Sequence, residues 1–154
     1  MFPSDELTAA RAQRSALAVL VAKLDPDSIV AAEAEPLWEA FDGIARLAAS
    51  ARTLLARRVA DSASWKRSGH RSAAEHLARK AGTSTGAARS ELDTSERLRG
   101  LPGTESALRR GELSGPQAAA VADAASADPG AEQRLLEKAQ TSNLADLRDD
   151  CARA

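Results

Sequence analysis

Apolar residues recur along this chain at three- and four-residue intervals, which is the spacing of one face of an α-helix. The first such run follows Ser4, Asp5 and Glu6, a cap residue with an acidic first turn, and continues to about Leu24. Segments that alternate apolar and polar residues are short and β-branched residues are sparse, so strands are not predicted. The pattern predicts an all-α multi-helix bundle of about seven main helices and two short ones, with a helix-turn-helix-like centre.

The second apolar run belongs to the longest helix that the pattern predicts. Ser28 is expected to cap a short helix, and Pro36 to lie in the first turn of a helix that continues to about Asp61. Its apolar residues are spaced alternately by four and three positions, as in a coiled coil. Packing against the first helix explains this stripe most simply, and a homodimer is the alternative. The stripe comprises Leu37, Phe41, Ile44, Ala48, Ala51 and Leu55, and the candidate dimer contacts are Leu37, Phe41, Ile44, Ala48 and Leu55.

The helical pattern is next interrupted by the stretch SWKRSGHRS. Ser72 and Glu75 then form an S-x-x-E capping box, in which each side chain satisfies a free backbone N–H at a helix start. That helix is predicted to end at Gly82, which suits a left-handed C-cap. After a short turn, Ser84 or Thr85 caps the following helix.

Capping signals also predict the remaining helices. They are a short helix around residues 105–110, a helix opened by the S-x-x-Q box of Ser114 and Gln117, a helix opened by Asp128 and Pro129, and a last helix from Ser142. We divide the chain into three segments. Residues 1–64 serve packing or dimerisation, residues 65–126 form a basic core, and residues 127–154 are C-terminal helices of the same domain.

Composition adds the kind of core and the distribution of charge. The chain has 154 residues, of which 44% are hydrophobic, 28% charged and only 3% aromatic. The core must therefore consist of Ala, Leu and Val, with Trp38, Phe41 and Trp65 as large anchors. The net charge of −1 is unevenly distributed: residues 1–64 carry −2, residues 65–116 carry +4 and residues 117–154 carry −3. The one basic segment contains the turn around Gly82.

Several classes of protein are disfavoured. The longest apolar run, ALAVLVA, is too short to cross a membrane, and the N-terminus lacks the basic leader of a signal peptide. The single cysteine, Cys151, excludes an internal disulfide and fits a reducing cytoplasm. His70 and His76 lie six residues apart across a helix start, so we do not expect them to share a helical face or to form a metal site. No cofactor and no catalytic role are predicted.

The turn around Gly82 resembles that of DNA-binding helix-turn-helix motifs. Leu77, Ala78 and Ala81 would face inward from the first helix, and Ala88 and Leu92 from the second. Glu91, Asp93 and Glu96 on the second helix would repel phosphates, so a plain helical corner remains open. Base or phosphate contacts are predicted for Ser84, Thr85, Arg89 and Ser90, and phosphate neutralisation for Lys66, Arg67, Arg71, Arg79 and Lys80.

A longer pattern extends from about Trp65 to Ala124. It begins with Gly69, Ser72, Ala73, Leu77, Ala78 and Arg79, continues with the Gly-Thr-Ser turn at residues 82–84, and ends in the stretch LPGTESALRRGELSGPQA. This pattern resembles the actinobacterial domain of unknown function 222, the 13E12-repeat family. The resemblance implies a helical, non-catalytic domain, commonly joined to a C-terminal HNH endonuclease module, that binds or targets DNA. The alternative is a protein-interaction or oligomerisation module without direct DNA contact.

Overall fold

The computed structural model describes residues 2–154, and over that range the protein is all-α, as predicted. It contains nine α-helices, eight of them at least seven residues long, and no strand within the described range. The helices are α1 (Asp5–Lys23), α2 (Ala31–Asp61), α3 (Ser64–Arg67), α4 (Ala73–Ala81), α5 (Thr85–Arg97), α6 (Pro102–Arg109), α7 (Gly115–Ala127), α8 (Glu132–Thr141) and α9 (Leu144–Ala152). Single 3₁₀ turns occupy Pro26–Ser28, Leu98–Gly100 and Pro129–Ala131.

Serine caps start four of these helices where the sequence predicted them. The side chains of Ser4, Ser72, Ser84 and Ser114 each accept a backbone N–H in the first turn of α1, α4, α5 and α7. The box at Ser114 is complete, because Gln117 also accepts the Ser114 N–H at 2.9 Å. These local hydrogen bonds fix the start of each helix independently of packing.

Other helix starts differ from prediction. Ser28 caps no helix; its hydroxyl donates to the Asp25 carbonyl at the end of a 3₁₀ turn. A single helix starts at Ala31, and Pro36 lies inside it rather than in its first turn. Proline has no backbone N–H, so one hydrogen bond of the helix is missing at Pro36. The helix α2 nevertheless continues through this position, which lies just after its first turn. The last helix is capped by Asn143 rather than Ser142.

The chain forms two compact units, of which the first ends at Glu39. No residue of α1, which the structure describes in full, is buried. Trp38 is 66% exposed, so the prediction that it anchors the core is wrong. The three segments predicted from the sequence, with boundaries after residues 64 and 126, stay predictions about function.

The second unit, Ala40–Ala154, contains the main core. Its largest cluster is built from leucines and alanines of α6–α9 and the segments between them, with Leu108, Leu113, Leu135 and Leu147 almost fully buried. Alanine at the remaining contact positions lets these short helices approach closely. The prediction of a core made from Ala, Leu and Val is confirmed for this unit, whereas the aromatic anchors are not central to it.

Two long-range polar contacts join these helices. The Glu132 carboxylate accepts both the backbone N–H and the hydroxyl of Thr104, at 2.6 and 2.8 Å, and so caps the N-terminus of α6 from α8. Thr104 is fully buried. The Gln117 amide donates to the Ala139 carbonyl at 3.1 Å, which ties the start of α7 to the end of α8. These contacts satisfy helix-end groups that burial would otherwise leave unpaired.

The buried face of α2 is not the predicted apolar stripe. Ser50, Thr53 and Ala56 are its buried residues, and the Arg57 N–H donates to the buried Ser95 hydroxyl of α5 at 3.2 Å. Small side chains on this face accommodate the contact with α5. Within the stripe, Phe41 and Leu37 are half-buried and the other four residues are exposed. Packing within the second unit therefore does not explain the part of the stripe from Ile44 to Leu55.

The N-terminal part of α2 within this unit rests on the turn after α6. Gly111 adopts a left-handed conformation with φ +72°, and a Cβ there would lie 3.1 Å from the Leu47 side chain. The Arg46 guanidinium donates to the Glu112 carbonyl at 3.1 Å. Among the helices of residues 2–154, none is long and apolar enough to cross a membrane.

Candidate nucleic-acid interface

The α4–α5 pair is defined at both ends of its connection by local hydrogen bonds. Gly82 ends α4 in the left-handed region with φ +67°, and its N–H donates to the Ala78 carbonyl. Ser84 then caps α5 by accepting the Ala87 N–H at 3.1 Å. At α4 only half of the predicted box forms, because Glu75 accepts the N–H of Arg71 rather than that of Ser72. Three residues, Gly82 to Ser84, thus connect the two helices.

The two helices pack through alanines. Ala74, Ala78 and Ala88 are buried in a small cluster of their own, with Leu77 and Leu92 packed against it. The inward positions predicted at residues 77, 78, 88 and 92 are confirmed. The inward position predicted for Ala81 is wrong: Ala81 is exposed, and Ala74, one turn before Ala78, occupies the interface instead.

Six cations surround this pair and all are exposed. Lys66 and Arg67 lie on α3, which packs against α4, and Arg71 lies in the loop between them. Arg79 and Lys80 lie in the last turn of α4, and Arg89 in the second turn of α5. Within residues 2–154, none of the six has a carboxylate partner within ion-pair distance. Lys66 contacts only the Trp65 ring, whose centroid is 5.2 Å from its Nζ.

The two sides of α5 differ in charge and surroundings. Thr85 and Arg89 lie on its outward side, which continues at its C-terminal half with Asp93 and the exposed Glu96. Ser84, at the cap, is exposed, but its oxygen already accepts a backbone N–H. An anion could therefore approach the N-terminal turns of α5 more readily than its C-terminal half.

Ser90 lies on the other side of α5, where a groove of 690 Å³ opens between α2, α5, α7 and α9. Alanines make up much of its wall, and Arg52, Arg97 and Arg148 supply cations. Two of these are already paired: Arg52 with Glu91 at 3.1 Å and Arg97 with Asp123 at 3.0 Å. Glu91 therefore points away from the outward side of α5 and acts in packing α5 against α2.

Two histidines meet beside the start of α4, which the sequence did not predict. The ring centroids of His70 and His76 are 5.0 Å apart, because the loop from Gly69 turns back over the helix. His76 is 4% exposed, and its Nδ1 has no hydrogen-bond partner among the described residues. Burial, then the nearby His70 and Lys80, lower the pKa of His76. The ring is therefore neutral at physiological pH and belongs to the packing of α4.

The remaining chemistry of the described residues is limited. No group of three or more His, Cys, Asp or Glu side chains in residues 2–154 could hold a metal ion. Cys151 is half-buried at the groove, and burial raises the pKa of its thiol, which disfavours the nucleophilic thiolate. The arrangement is suited to binding an anionic surface through exposed cations and backbone N–H groups.

Sequence reasoning found the exposed cations but missed the groove residues. The cations could be found because they cluster between residues 66 and 89 in the one basic segment. Arg52 and Glu91 are 39 positions apart, and no local signal links them. Only the packing of α2 on α5 brings these two side chains together.

Comparison with known protein families gives a match over most of the chain. The family described as Domain of unknown function (DUF222) matches residues 37–154, a range that contains α3–α9 and most of α2. No curated protein and no solved structure matches the chain.

Proposed function

The chain belongs to the family of the domain of unknown function 222, and since that description assigns no activity, we propose from the geometry that it is a non-catalytic DNA-binding module. The observation that carries this proposal is the set of six exposed cations around the α4–α5 pair, none of which has a carboxylate partner in the described structure. Exposed cations left without internal partners are available to phosphates.

The α4–α5 pair is proposed to bind as a helix-turn-helix. α5 enters the major groove with its N-terminal turns, where Thr85 and Arg89 are exposed toward the DNA. Ser84 flanks these positions at the helix cap and contacts the phosphate backbone, whereas Ser90, which faces the groove between α2, α5, α7 and α9, is left out of the proposed contacts. Asp93 and Glu96 lie farther along α5, so this end-on approach keeps them farther from the phosphates than Arg89 is.

The cations outside α5 are proposed to hold the backbone on either side. Arg79 and Lys80 lie at the end of α4, beside the turn that leads into α5. Lys66, Arg67 and Arg71 extend the positive surface from α3. Contacts of this kind set affinity and orientation, but they carry no sequence information. The proposed affinity is moderate to weak, since the surface holds few cations and two acids lie nearby.

In the wider context, the resemblance to the 13E12-repeat family suggests a targeting role. We propose that the domain brings DNA to a nuclease module of the HNH type in proteins that contain both. In this role the present residues bind and orient DNA, and the cleavage chemistry belongs to the other module.

The test is fluorescence anisotropy of a labelled duplex, titrated at low and at physiological salt. The variant Arg79→Ala/Lys80→Ala/Arg89→Ala is expected to bind at least about 10-fold more weakly and to lower the salt slope by about one for each lost phosphate contact. The matched control is Arg109→Ala/Arg110→Ala/Arg153→Ala, which removes the same charge from exposed cations that already have carboxylate partners on α6, in the turn after α6 and on α9. Equal losses in both variants would show that only net charge matters. No binding at about 100 μM would overturn the proposal.

A second candidate function is protein interaction without DNA contact. The exposed apolar stripe on α2 favours it, because Ile44 and Leu55 remain 40% and 59% exposed. Apolar association varies little with salt, whereas phosphate binding weakens steeply. The same titrations therefore separate the two candidates.

A further inference from the structure

The long helix α2 has two faces with different surroundings in the second unit. One face packs inside the chain through Ser50, Thr53 and Ala56. At 3.6 residues per turn, the stripe lies on roughly the opposite side. Its residues from Ile44 onward are exposed, as is Leu47 at its edge, which is 49% exposed. A run of apolar side chains on the side away from the core has no role in the folding of this unit.

The spacing of the stripe specifies its partner. Phe41, Ile44, Ala48, Ala51 and Leu55 alternate steps of three and four residues, which keeps a straight seam only against another helix with the same repeat. We propose that the partner is α2 of a second copy of this chain, and that the two helices pair in antiparallel orientation about a two-fold axis. Such an interface is isologous and closes at the dimer.

Side-chain sizes favour the antiparallel orientation. With the two-fold axis midway between Ile44 and Ala48, Ile44 lies opposite the partner's Ala48, and Phe41 lies opposite the partner's Ala51. These central layers then each combine one large and one small side chain, so they have similar volumes. In a parallel pair, Phe41 would instead face its own copy and Ala48 would face its own copy, which alternates overfilled and underfilled layers.

The charges of α2 favour the same orientation. Apart from the terminal Asp61, acidic residues occupy the first part of the helix and basic residues the second: Glu33, Glu35, Glu39 and Asp42, then Arg46, Arg52, Arg57 and Arg58. Antiparallel pairing brings the acidic part of one helix beside the basic part of the other. Parallel pairing brings like charges and like helix dipole ends together. Sizes and charges thus agree on one arrangement.

The first experiment measures association of the whole chain by sedimentation equilibrium. Wild-type protein is expected to dimerise in the micromolar range, because the seam is short. Ala48→Glu places a carboxylate in two central layers and is expected to weaken the dimer by about 100-fold or more. The matched control is Ala145→Glu on α9, another exposed alanine in a helix, which leaves the dimer unchanged. Since Ala48 is exposed in the single chain, its substitution does not disturb folding.

The second experiment determines orientation by crosslinking single cysteines in a Cys151→Ser background with a short bismaleimide. Ala40→Cys and Ala51→Cys, one of them carrying a size tag, are tested separately and mixed. In the antiparallel register, position 40 lies within one residue, about 1.5 Å along the axis, of the partner's position 51, whereas two copies of position 51 are about 15 Å apart along the axis. Crosslinks are therefore expected only in the mixture.

Three results would overturn the proposal. A wild-type chain that stays monomeric at about 100 μM, a concentration far above the expected range, would assign the stripe to another protein or to none. A dimer that survives Ala48→Glu would place the interface elsewhere. Crosslinking of Ala51→Cys with itself would establish parallel pairing. None of these results depends on DNA binding, so the proposed function is tested separately.

Discussion

Two regions of the second unit use their Arg and Lys side chains in different ways. From Lys66 to Arg89, none of the six cations forms an ion pair with any residue that the structure describes. After residue 90, six of the eight are paired: Arg97, Arg99, Arg109, Arg110, Lys138 and Arg153. Both regions are helical and exposed cations occur in both, so secondary structure alone does not explain the difference.

The difference lies in where the acids are. After residue 90 most cations lie close to a carboxylate, either two to four residues away in sequence, as for Arg99, Arg109, Arg110 and Arg153, or on a neighbouring helix, as for Arg97 and Lys138. Exposed pairs of this kind contribute little to stability, but they neutralise the surface. Around α4 and α5, Glu75 lies near Arg71 and Arg79 without pairing with either, and its carboxylate is occupied by the Arg71 N–H. The α4–α5 region therefore keeps its positive field.

The largest expected effect concerns stability in the region of α6–α9. Glu132→Ala removes the acceptor of the buried Thr104 N–H and hydroxyl, and we expect a loss of about 2–3 kcal/mol in the free energy of unfolding, since both bonds go to a charged group. Urea denaturation measures it, with Glu137→Ala, at an exposed position of the same helix, as the control. DNA affinity should not change. A loss below about 0.5 kcal/mol would show that Glu132 does not cap α6.

The next effect concerns binding in the α4–α5 region. Arg89→Glu replaces an exposed cation at the proposed DNA surface by an anion, and we expect DNA affinity to fall by about 10-fold or more at low salt. The thermal midpoint should stay near that of the wild type, because Arg89 is exposed and makes no ion pair with a described residue. Arg109→Glu makes the same charge change on α6 and serves as the control. Equal loss of affinity in the two variants would remove the distinction between the regions.

A smaller effect of opposite sign is expected at Asp93. This exposed carboxylate lies on the outward side of α5, beyond Arg89, and Asp93→Asn removes its charge while preserving its shape. We expect DNA affinity to rise by about threefold at low salt and less at physiological salt, as screening predicts. Anisotropy titrations at both salt concentrations measure it. Unchanged or weaker binding would mean that DNA does not approach this side of α5.

The parts of the fold that were predictable from sequence are those determined by neighbouring residues. Serine side chains cap helices within three residues of themselves, and Gly82 ends α4 because its own backbone tolerates positive φ. The inward positions of α4 and α5 follow from helical spacing and were predicted at four of five residues. The exposed cations of the α4–α5 region were predictable because they cluster in sequence.

What could not be predicted depends on distant partners. The spacing of the α2 stripe predicted that the stripe is buried, yet the helix is buried on the opposite face. The residues buried there include Ser50 and Thr53, which are small but polar, so a search for apolar residues does not find them. That face is buried because it contacts α5, for example through the Arg57 N–H and the Ser95 hydroxyl, and no neighbouring residue of α2 indicates this contact. Likewise, Glu132 and Thr104 are 28 residues apart, so no local pattern predicts their contact. Trp38 was assigned to the core because large aromatic residues are rare in this chain, but it lies at the surface.

The smallest expected effect is confined to mild acid and concerns a feature of the α4–α5 region, the buried His76. Its pKa is lowered in the folded chain, so at pH values below about 6.5, the ordinary value, the unfolded chain binds a proton that the folded chain does not. The contribution of this neutral ring to the free energy of unfolding is complete at pH values above the ordinary pKa. It is lost as the pH falls toward the lower pKa that His76 has in the folded chain. His76→Leu should flatten the dependence of the thermal midpoint on pH between 7 and about 5, a window set by histidine titration.

Three carboxylates with shifted pKa values do not obscure this window. The pKa values of Glu75, Glu112 and Asp150 are lowered, so their stabilisation is lost only at pH values below those of ordinary carboxyl groups, about 4. His70 and Lys80 are the charged or titratable neighbours that oppose protonation of His76, and both remain in the variant. If wild type and variant lose stability in parallel between pH 7 and 5, another group titrates there. A flat profile in the variant would instead localise the acid sensitivity to α4, the helix that also bears Arg79 and Lys80.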